Sequence, residues 1–381
     1  MLLARALSPE QLGHWSLALA VQGYALHLGE FGLRAVVTTE AAPAGRHLPE
    51  LLARYLRLRL ALTALALAVV LGGCALWRPN DLPLVALVTL PILPIALQLD
   101  WMALVDDRVG LAAVLLLVRP LAFVALLVLW RGRLDLYLTG ACFLASWTMA
   151  AAASWMTLRR PATNHIGSVS ASSLMLRRGG RLATVTVTNQ LQLNADLVAI
   201  GWTVGAAGAG NYWLASQVLV AGLLFANAAG QVALARMPVL VGDRDRFGHA
   251  VEGEMARILC LAVPAAAVAA FASPWLLPPL FGEEHAVVAS VLLWLLPWFV
   301  LQHPTTVLQA ALTAAGRETC VLRANLVAVT VLLPALAVAA ATSSLAAFAL
   351  ARSFAEAARL AVLVTQFNDS PRAPAQTSIS A

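Results

Sequence analysis

Long runs of apolar residues, repeated along the whole chain, constrain this sequence most. "LRLALTALALAVVLGGCALW" (58–77) and "VGLAAVLLLVRPLAFVALLVLW" (109–130) are two of them. Each has the roughly 20 mainly apolar residues that a helix needs to cross about 30 Å of hydrocarbon. Hydrocarbon offers no partner to a backbone N–H or C=O, so spanning segments must be helices or a closed barrel. A barrel would alternate polar and apolar residues in short segments everywhere, whereas here alternation is confined to one stretch. The fold class expected is therefore an all-α integral membrane protein. Composition agrees: 61% of residues are hydrophobic and 12% are charged, too apolar for an ordinary water-soluble domain.

The apolar stretches predict spans near 12–38, 56–77, 82–105, 109–130 and 134–158, then near 182–204, 209–240, 256–280, 286–312, 319–341 and 344–366. This gives an N-lobe over 1–158, with five full spans and a helix remnant, and a C-lobe of six spans over 182–367. Between them "RRPATNHIGSVSASSLMLRRGGR" (159–181) reads as a basic, Ser-rich cytoplasmic linker, and 368–381 reads as a disordered cytoplasmic tail. The net charge of +6 comes from arginine alone, for the chain has no lysine. These arginines sort by side. Arg46, Arg54, Arg57, Arg59, Arg108, Arg236, Arg244, Arg246, Arg257, Arg317 and Arg323 fall on the linker's side, while Arg5, Arg78, Arg131 and Arg133 fall opposite. The bias is that of cytoplasmic loops in a membrane protein, and it makes nucleic acid an unneeded explanation of the charge. Cys74, Cys142, Cys260 and Cys320 stand singly without metal-ligand spacing, so neither a metal nor a cofactor is expected. "GAAGAG" (205–210) follows an apolar span rather than a strand and reads as a turn, not a nucleotide fingerprint.

"GHWSLA" (13–18) and "GNYWLA" (210–215) each open a long helix after a short turn, which suggests an internal repeat. In the second copy a whole span precedes that turn. In the first only "MLLARAL" does, so a further N-terminal helix is expected in the natural protein or its ancestor.

Three blocks carry a family resemblance. "LARALSPEQLGHWSLALAVQGYALHLGEFGLRAVVTTEAA" resembles the opening of bacterial polysaccharide flippases of the O-antigen and exopolysaccharide type. In those proteins a small-Pro-Glu turn leads into a helix that ends like Glu30-Phe31-Gly32-Leu33. "NADLVAIGWTVGAAGAGNYWLASQVLVAGLLFANAAGQVALARMPVL" (194–240) is similar to the same family, as is "LLPPLFGEEHAVVASVLLWLLP" (276–297) with "ALTAAGRETCVLRANL" (311–326). The family lies within the multidrug/oligosaccharidyl-lipid/polysaccharide exporter superfamily. The resemblance implies two pseudo-symmetric helical lobes around a central cavity, alternating access, and a lipid-linked oligosaccharide, carried on undecaprenyl pyrophosphate, moved across the bacterial inner membrane for surface polysaccharide synthesis. Membrane lipids, a coupling ion (H⁺ or Na⁺) and polysaccharide polymerase or assembly proteins are the implied partners. No enzymatic activity is expected. A cation-coupled drug antiporter of the same superfamily, a membrane polymerase or glycosyltransferase, and a nonfunctional remnant are the alternatives.

Candidate site residues follow from polar groups inside the spans. "TVTNQLQLNADLVAIG" (184–199) alternates like a strand, yet as a helix it gathers Asn189, Gln192 and Asp196 away from an apolar stripe. A charged residue at that depth costs at least ~2.5–3.5 kcal/mol if it faces lipid. Asp196 should therefore line a water-filled cavity, or else pair with an arginine. A pyrophosphate needs fixed positive charge able to make two hydrogen bonds at once, which arginine supplies best. Arg34 and Arg119 are the candidates for that role, with structural pairing to Asp100, Asp196 or Glu30 as the alternative. Glu30 completes the substrate-binding set and, at i and i+4, is placed to pair with Arg34.

Overall fold

The computed structural model describes residues 2–34, 36–37, 48–105, 108–158, 172–236 and 243–369, and every regular element among them is helical. The helices are α1 (Leu2–Ala6), α2 (Pro9–Glu30), α3 (Leu48–Trp77), α4 (Leu82–Thr89), α5 (Ile92–Ala96), α6 (Asp100–Val105), α7 (Val109–Leu129), α8 (Leu136–Leu158), α9 (Ser172–Thr203), α10 (Ala206–Arg236), α11 (Arg244–Phe281), α12 (Val287–Ala314), α13 (Glu318–Thr342) and α14 (Leu345–Asn368). The expected all-α membrane architecture is therefore present. Seven spans among the described residues are long and apolar enough to cross a membrane. Many of their large apolar side chains face outward, with Leu76 81% and Phe271 80% exposed, as expected where lipid rather than water is the neighbour. Trp77, Trp130, Trp202 and Trp275 are exposed at or near the C-terminal ends of α3, α7, α9 and α11. Such helix ends are where exposed aromatic residues sit at a membrane–water interface.

Helix starts follow local chemistry. At α2 the Ser8 hydroxyl accepts from Gln11 N at 3.3 Å while Gln11 Oε1 accepts from Ser8 N at 3.1 Å, a reciprocal capping box with Pro9 just inside. Asp135 accepts from Leu138 N at 2.6 Å to start α8, and Asp243 accepts from Arg246 N to start α11. The alternating stretch 184–199 is helical within α9, as its polar grouping required. That helix begins at Ser172, so residues 172–181 of the expected linker are its first turns, and 159–171 lie outside the described residues.

Contacts divide the chain into two compact units. One comprises Leu2–Leu7 and His14–Gln190; the other includes Ser8–Gly13 and Leu191–Ala381. In the first unit α7 packs along α8, and α8 also meets α4. Its apolar core includes Leu33, Tyr55, Leu99, Trp101, Met102 and Leu115. The span expected over 82–105 is broken here into α4, α5 and α6, because Pro91 and Pro94 withhold two backbone donors within one turn. The break is held from α8: Leu99 N donates to Ser154 Oγ at 3.2 Å and Trp155 Nε1 donates to Leu97 O at 2.7 Å. α2 ends at Glu30, where Phe31 (φ 46°) and Gly32 (φ 66°) turn the chain. A Cβ on Gly32 would stand 2.5 Å from Gly179 O, so the Phe-Gly turn nests backbone to backbone against α9.

In the second unit α13 packs on α14, and α12 contacts α10, α11 and α14. The suggested repeat is visible within this unit. A Cβ on Gly13 would lie 1.8 Å from Ala206 O, and one on Gly210 would lie 2.2 Å from Pro9 O. Each glycine therefore sits four residues after the carbonyl that its counterpart presses against. The two copies cross at reciprocal positions, where neither tolerates a side chain.

Candidate functional site

The first unit holds a cavity of about 240 Å³ lined by Glu30, Arg34, Arg59, Asp100, Arg119 and Trp147, with Leu26, Ile95, Gln98, Leu115, Leu116, Ala150 and Ser154. Its residues come from the end of α2, the first half of α3, the α5–α6 break, and the middles of α7 and α8. Among the described lining residues three guanidinium groups face two carboxylates, an excess of positive charge.

Each arginine is held differently. Arg34 Nη2 donates to Asp100 Oδ2 at 2.6 Å, with the Asp100 side chain 8% exposed. Arg59, buried in α3, donates to the Tyr55 hydroxyl one turn earlier. Arg119 lies over the Trp147 ring, 4.6 Å from its centroid, a cation–π contact that leaves the edge of the guanidinium available for hydrogen bonds. Trp147 is itself set edge-on to Phe143, with centroids 6.2 Å apart. No carboxylate among the described residues lies within ion-pair distance of Arg59 or Arg119. A buried or half-buried guanidinium without a counter-charge is costly, and an arriving anion would relieve that cost.

Two expectations are corrected by this geometry. Arg59 reads in sequence as one arginine of a basic flank. It already falls inside the span expected from 56, and the structure turns its side chain, buried, into the cavity rather than onto a basic flank. Glu30 and Arg34 do not share a continuous helix face, because the left-handed turn at Phe31-Gly32 intervenes, and Arg34 reaches Asp100 instead. α7 runs unbroken through Pro120.

The remaining candidates lie on α9. Asn189 is partly buried and belongs to the first unit. Gln192 and Asp196 belong to the second unit and enter a sealed polar network. Asp196 is 0% exposed; it accepts from the Tyr212 hydroxyl at 2.6 Å and from Arg352 Nη1 at 3.0 Å. Arg352 in turn stacks on Trp298, 3.8 Å from the ring centroid. One turn along, Glu356 accepts from Gln192 Nε2 at 2.8 Å and has Arg359 Nη1 at 3.6 Å. Turned so that its nitrogen faces Glu356, the Gln302 amide donates to both carboxylate oxygens at 3.1 and 3.2 Å. Asp196 thus takes the pairing alternative: in this structure it lines no water-filled path. Sequence reasoning missed Arg352, Glu356 and Arg359, whose i, i+4, i+7 spacing places them along one face of α14.

The structure thus brings Glu30, Arg34 and Arg119 together around one cavity, and joins Gln192 to Asp196 in another, closed cluster. The profile of a family described as polysaccharide biosynthesis protein matches residues 1–240 of the sequence. The chain belongs to that family. No curated protein matches its sequence significantly. Among solved structures the fold is similar to an inward-facing multidrug resistance MATE family transporter of the MOP superfamily, with TM-score 0.72 and 12% identity over 96% of this chain and 92% of that one. It is also similar to the lipid II flippase MurJ in an inward closed conformation, with TM-score 0.66 and 13% identity over 95% and 86%. A third is a MOP superfamily transporter from Pyrococcus furiosus described as having a binding pocket of reversed polarity, with TM-score 0.64 and 10% identity over 97% and 99%. At these identities the likeness is one of fold alone.

Proposed function

We propose that this protein is a flippase that moves a lipid-linked oligosaccharide, carried on undecaprenyl pyrophosphate, across the bacterial inner membrane by alternating access. The cargo serves surface polysaccharide synthesis. The observation that carries this reading is the cavity of the first unit, in which Arg34, Arg59 and Arg119 outnumber Glu30 and Asp100. A pyrophosphate brings several acceptor oxygens and two or more negative charges, and guanidinium groups bind such a group by paired, charge-assisted hydrogen bonds. The family match is consistent with a role in polysaccharide synthesis, and the fold is one shared by a lipid II flippase. A drug antiporter with a cationic cargo would be repelled by the same charge excess, so that reading is disfavoured.

In this account Arg119 and Arg34 hold the phosphates, Trp147 fixes the plane of Arg119, and the isoprenoid tail remains among lipids. Glu30 borders the headgroup, while Gln192 and Asp196 stiffen the second lobe. The test is polysaccharide export in a deletion host complemented with Arg119→Ala or Asp196→Asn, with membrane protein levels measured alongside. Export should fail with Arg119→Ala at normal protein level. Undiminished export by that variant would reject the cavity as the cargo site.

A further inference from the structure

Of the groups that line the cavity, Asp100 is the least settled. Its Oδ2 accepts a single charge-assisted bond from Arg34 at 2.6 Å, while Oδ1 is buried without any hydrogen-bond partner. Only 8% of its side chain is exposed. A carboxylate in that state keeps the cost of desolvation with half of its bonding capacity unused, whereas a well-made arginine–carboxylate pair is a two-bond fork. Asp100 is also the first residue of a short helix, α6, and follows the non-helical residues 97–99.

We propose that Asp100 is an internal counter-ion occupying part of the cargo's phosphate site in the empty cavity, so that a headgroup must displace it to engage Arg34. This inference rests on the flippase reading and adds a rule of selectivity to it. A monophosphate arriving at Arg34 exchanges one anion for another and gains little. A diphosphate gains more, because its second phosphate reaches guanidinium groups, Arg59 and Arg119, that no carboxylate among the described residues neutralises. Asp100 thereby sets a charge threshold that favours diphosphate over monophosphate headgroups. It is a specificity-determining residue that acts through Arg34.

The test is binding of farnesyl monophosphate and farnesyl diphosphate to the full-length protein in detergent micelles, with melting temperature recorded for every variant. The wild type should prefer the diphosphate by about tenfold or more, a difference of ~1.4 kcal/mol or above. In Asp100→Asn, Arg34 loses the Asp100 counter-charge: both affinities should rise, the monophosphate's more, and the preference should fall to about threefold or less. If that variant does not fold, Asp100→Ser retains a short polar group at the start of α6 and removes the charge equally. Asp100→Glu, which keeps the charge, should retain a preference. A purely structural role predicts weaker binding of both probes with a lower melting temperature, and that result, or an unchanged preference in a folded neutral variant, overturns the proposal. If the wild type binds neither probe, or Arg119→Ala binds the diphosphate as the wild type does, the basic cavity is not a phosphate site and the flippase reading falls with the inference. If Arg119→Ala loses the diphosphate while Asp100→Asn keeps the wild-type preference, only the inference fails.

Discussion

The two units use arginine in opposite ways. In the second, Arg352 and Arg359 are matched by Asp196 and Glu356, capped by Tyr212 and Gln192, and shut away from solvent. In the first, Arg59 and Arg119 rest on aromatic partners, and the bridge from Arg34 to Asp100 leaves a carboxylate oxygen unused. A closed, neutral cluster fixes the positions of helices α9, α10, α12 and α14, and has no charge left over for a ligand. An open cavity with surplus positive charge among its described residues is, on the function proposed, where an anion would be held. The comparison teaches that burial of charge, by itself, singles out no ligand site; the two clusters differ in their balance of charge.

The contrast can be broken by mutation, and the largest effect belongs to the closed cluster. Arg352→Ala leaves Asp196 buried without its cation and should cost ~3–5 kcal/mol, read as a fall in melting temperature and in membrane accumulation. Replacing Asp196, Arg352 and Tyr212 together by Leu, Met and Phe should recover most of that loss, since apolar residues of similar volume often equal a buried ion pair. Recovery would show that this cluster acts in packing alone. Gly210→Ala puts a methyl group 2.2 Å from Pro9 O and should cost about 1–3 kcal/mol by overpacking. Gly253→Ala, with open space around its Cβ, should be neutral or stabilising by up to ~1 kcal/mol. Arg119→Ala removes one cation–π contact and should change stability by ~1 kcal/mol or less, far below the cost of losing Arg352.

How much of this could be read in the sequence depended on the range of the interaction. The spans were legible because crossing a bilayer is a local demand on length and polarity, and the helical nature of 184–199 was legible because its polar residues group on a helix face. The break in the third span was not anticipated as such. Pro91 and Pro94 marked a place for a bend, but the side chains that hold it, Ser154 and Trp155, come from a different helix. Arg119 and Arg34 stood out as cations within apolar runs. Arg59 did not, because "ARYLRLRL" carries three arginines and looks like an ordinary basic flank; which of the three is buried is decided by helices that pack against that face from elsewhere in the chain. Asp196 was visible, but its partner Arg352 lies 156 residues away, and no spacing rule in a single sequence joins such a pair. The charged face of α14 offered a signal at 352, 356 and 359 that hydropathy grouping alone passed over.

Transfer of a fluorescent prenyl-diphosphate oligosaccharide across proteoliposome membranes tests the central claim most directly, comparing wild type, Arg119→Ala and the Leu/Met/Phe triple variant. If the surplus charge of the first unit carries the cargo, Arg119→Ala should slow transfer by about tenfold or more, a barrier increase of ~1.4 kcal/mol or above, at an unchanged melting temperature. The triple variant should stay within about twofold of wild type. Undiminished transfer by Arg119→Ala together with loss in a well-folded triple variant would place the cargo's charge partner in the second unit and contradict the account.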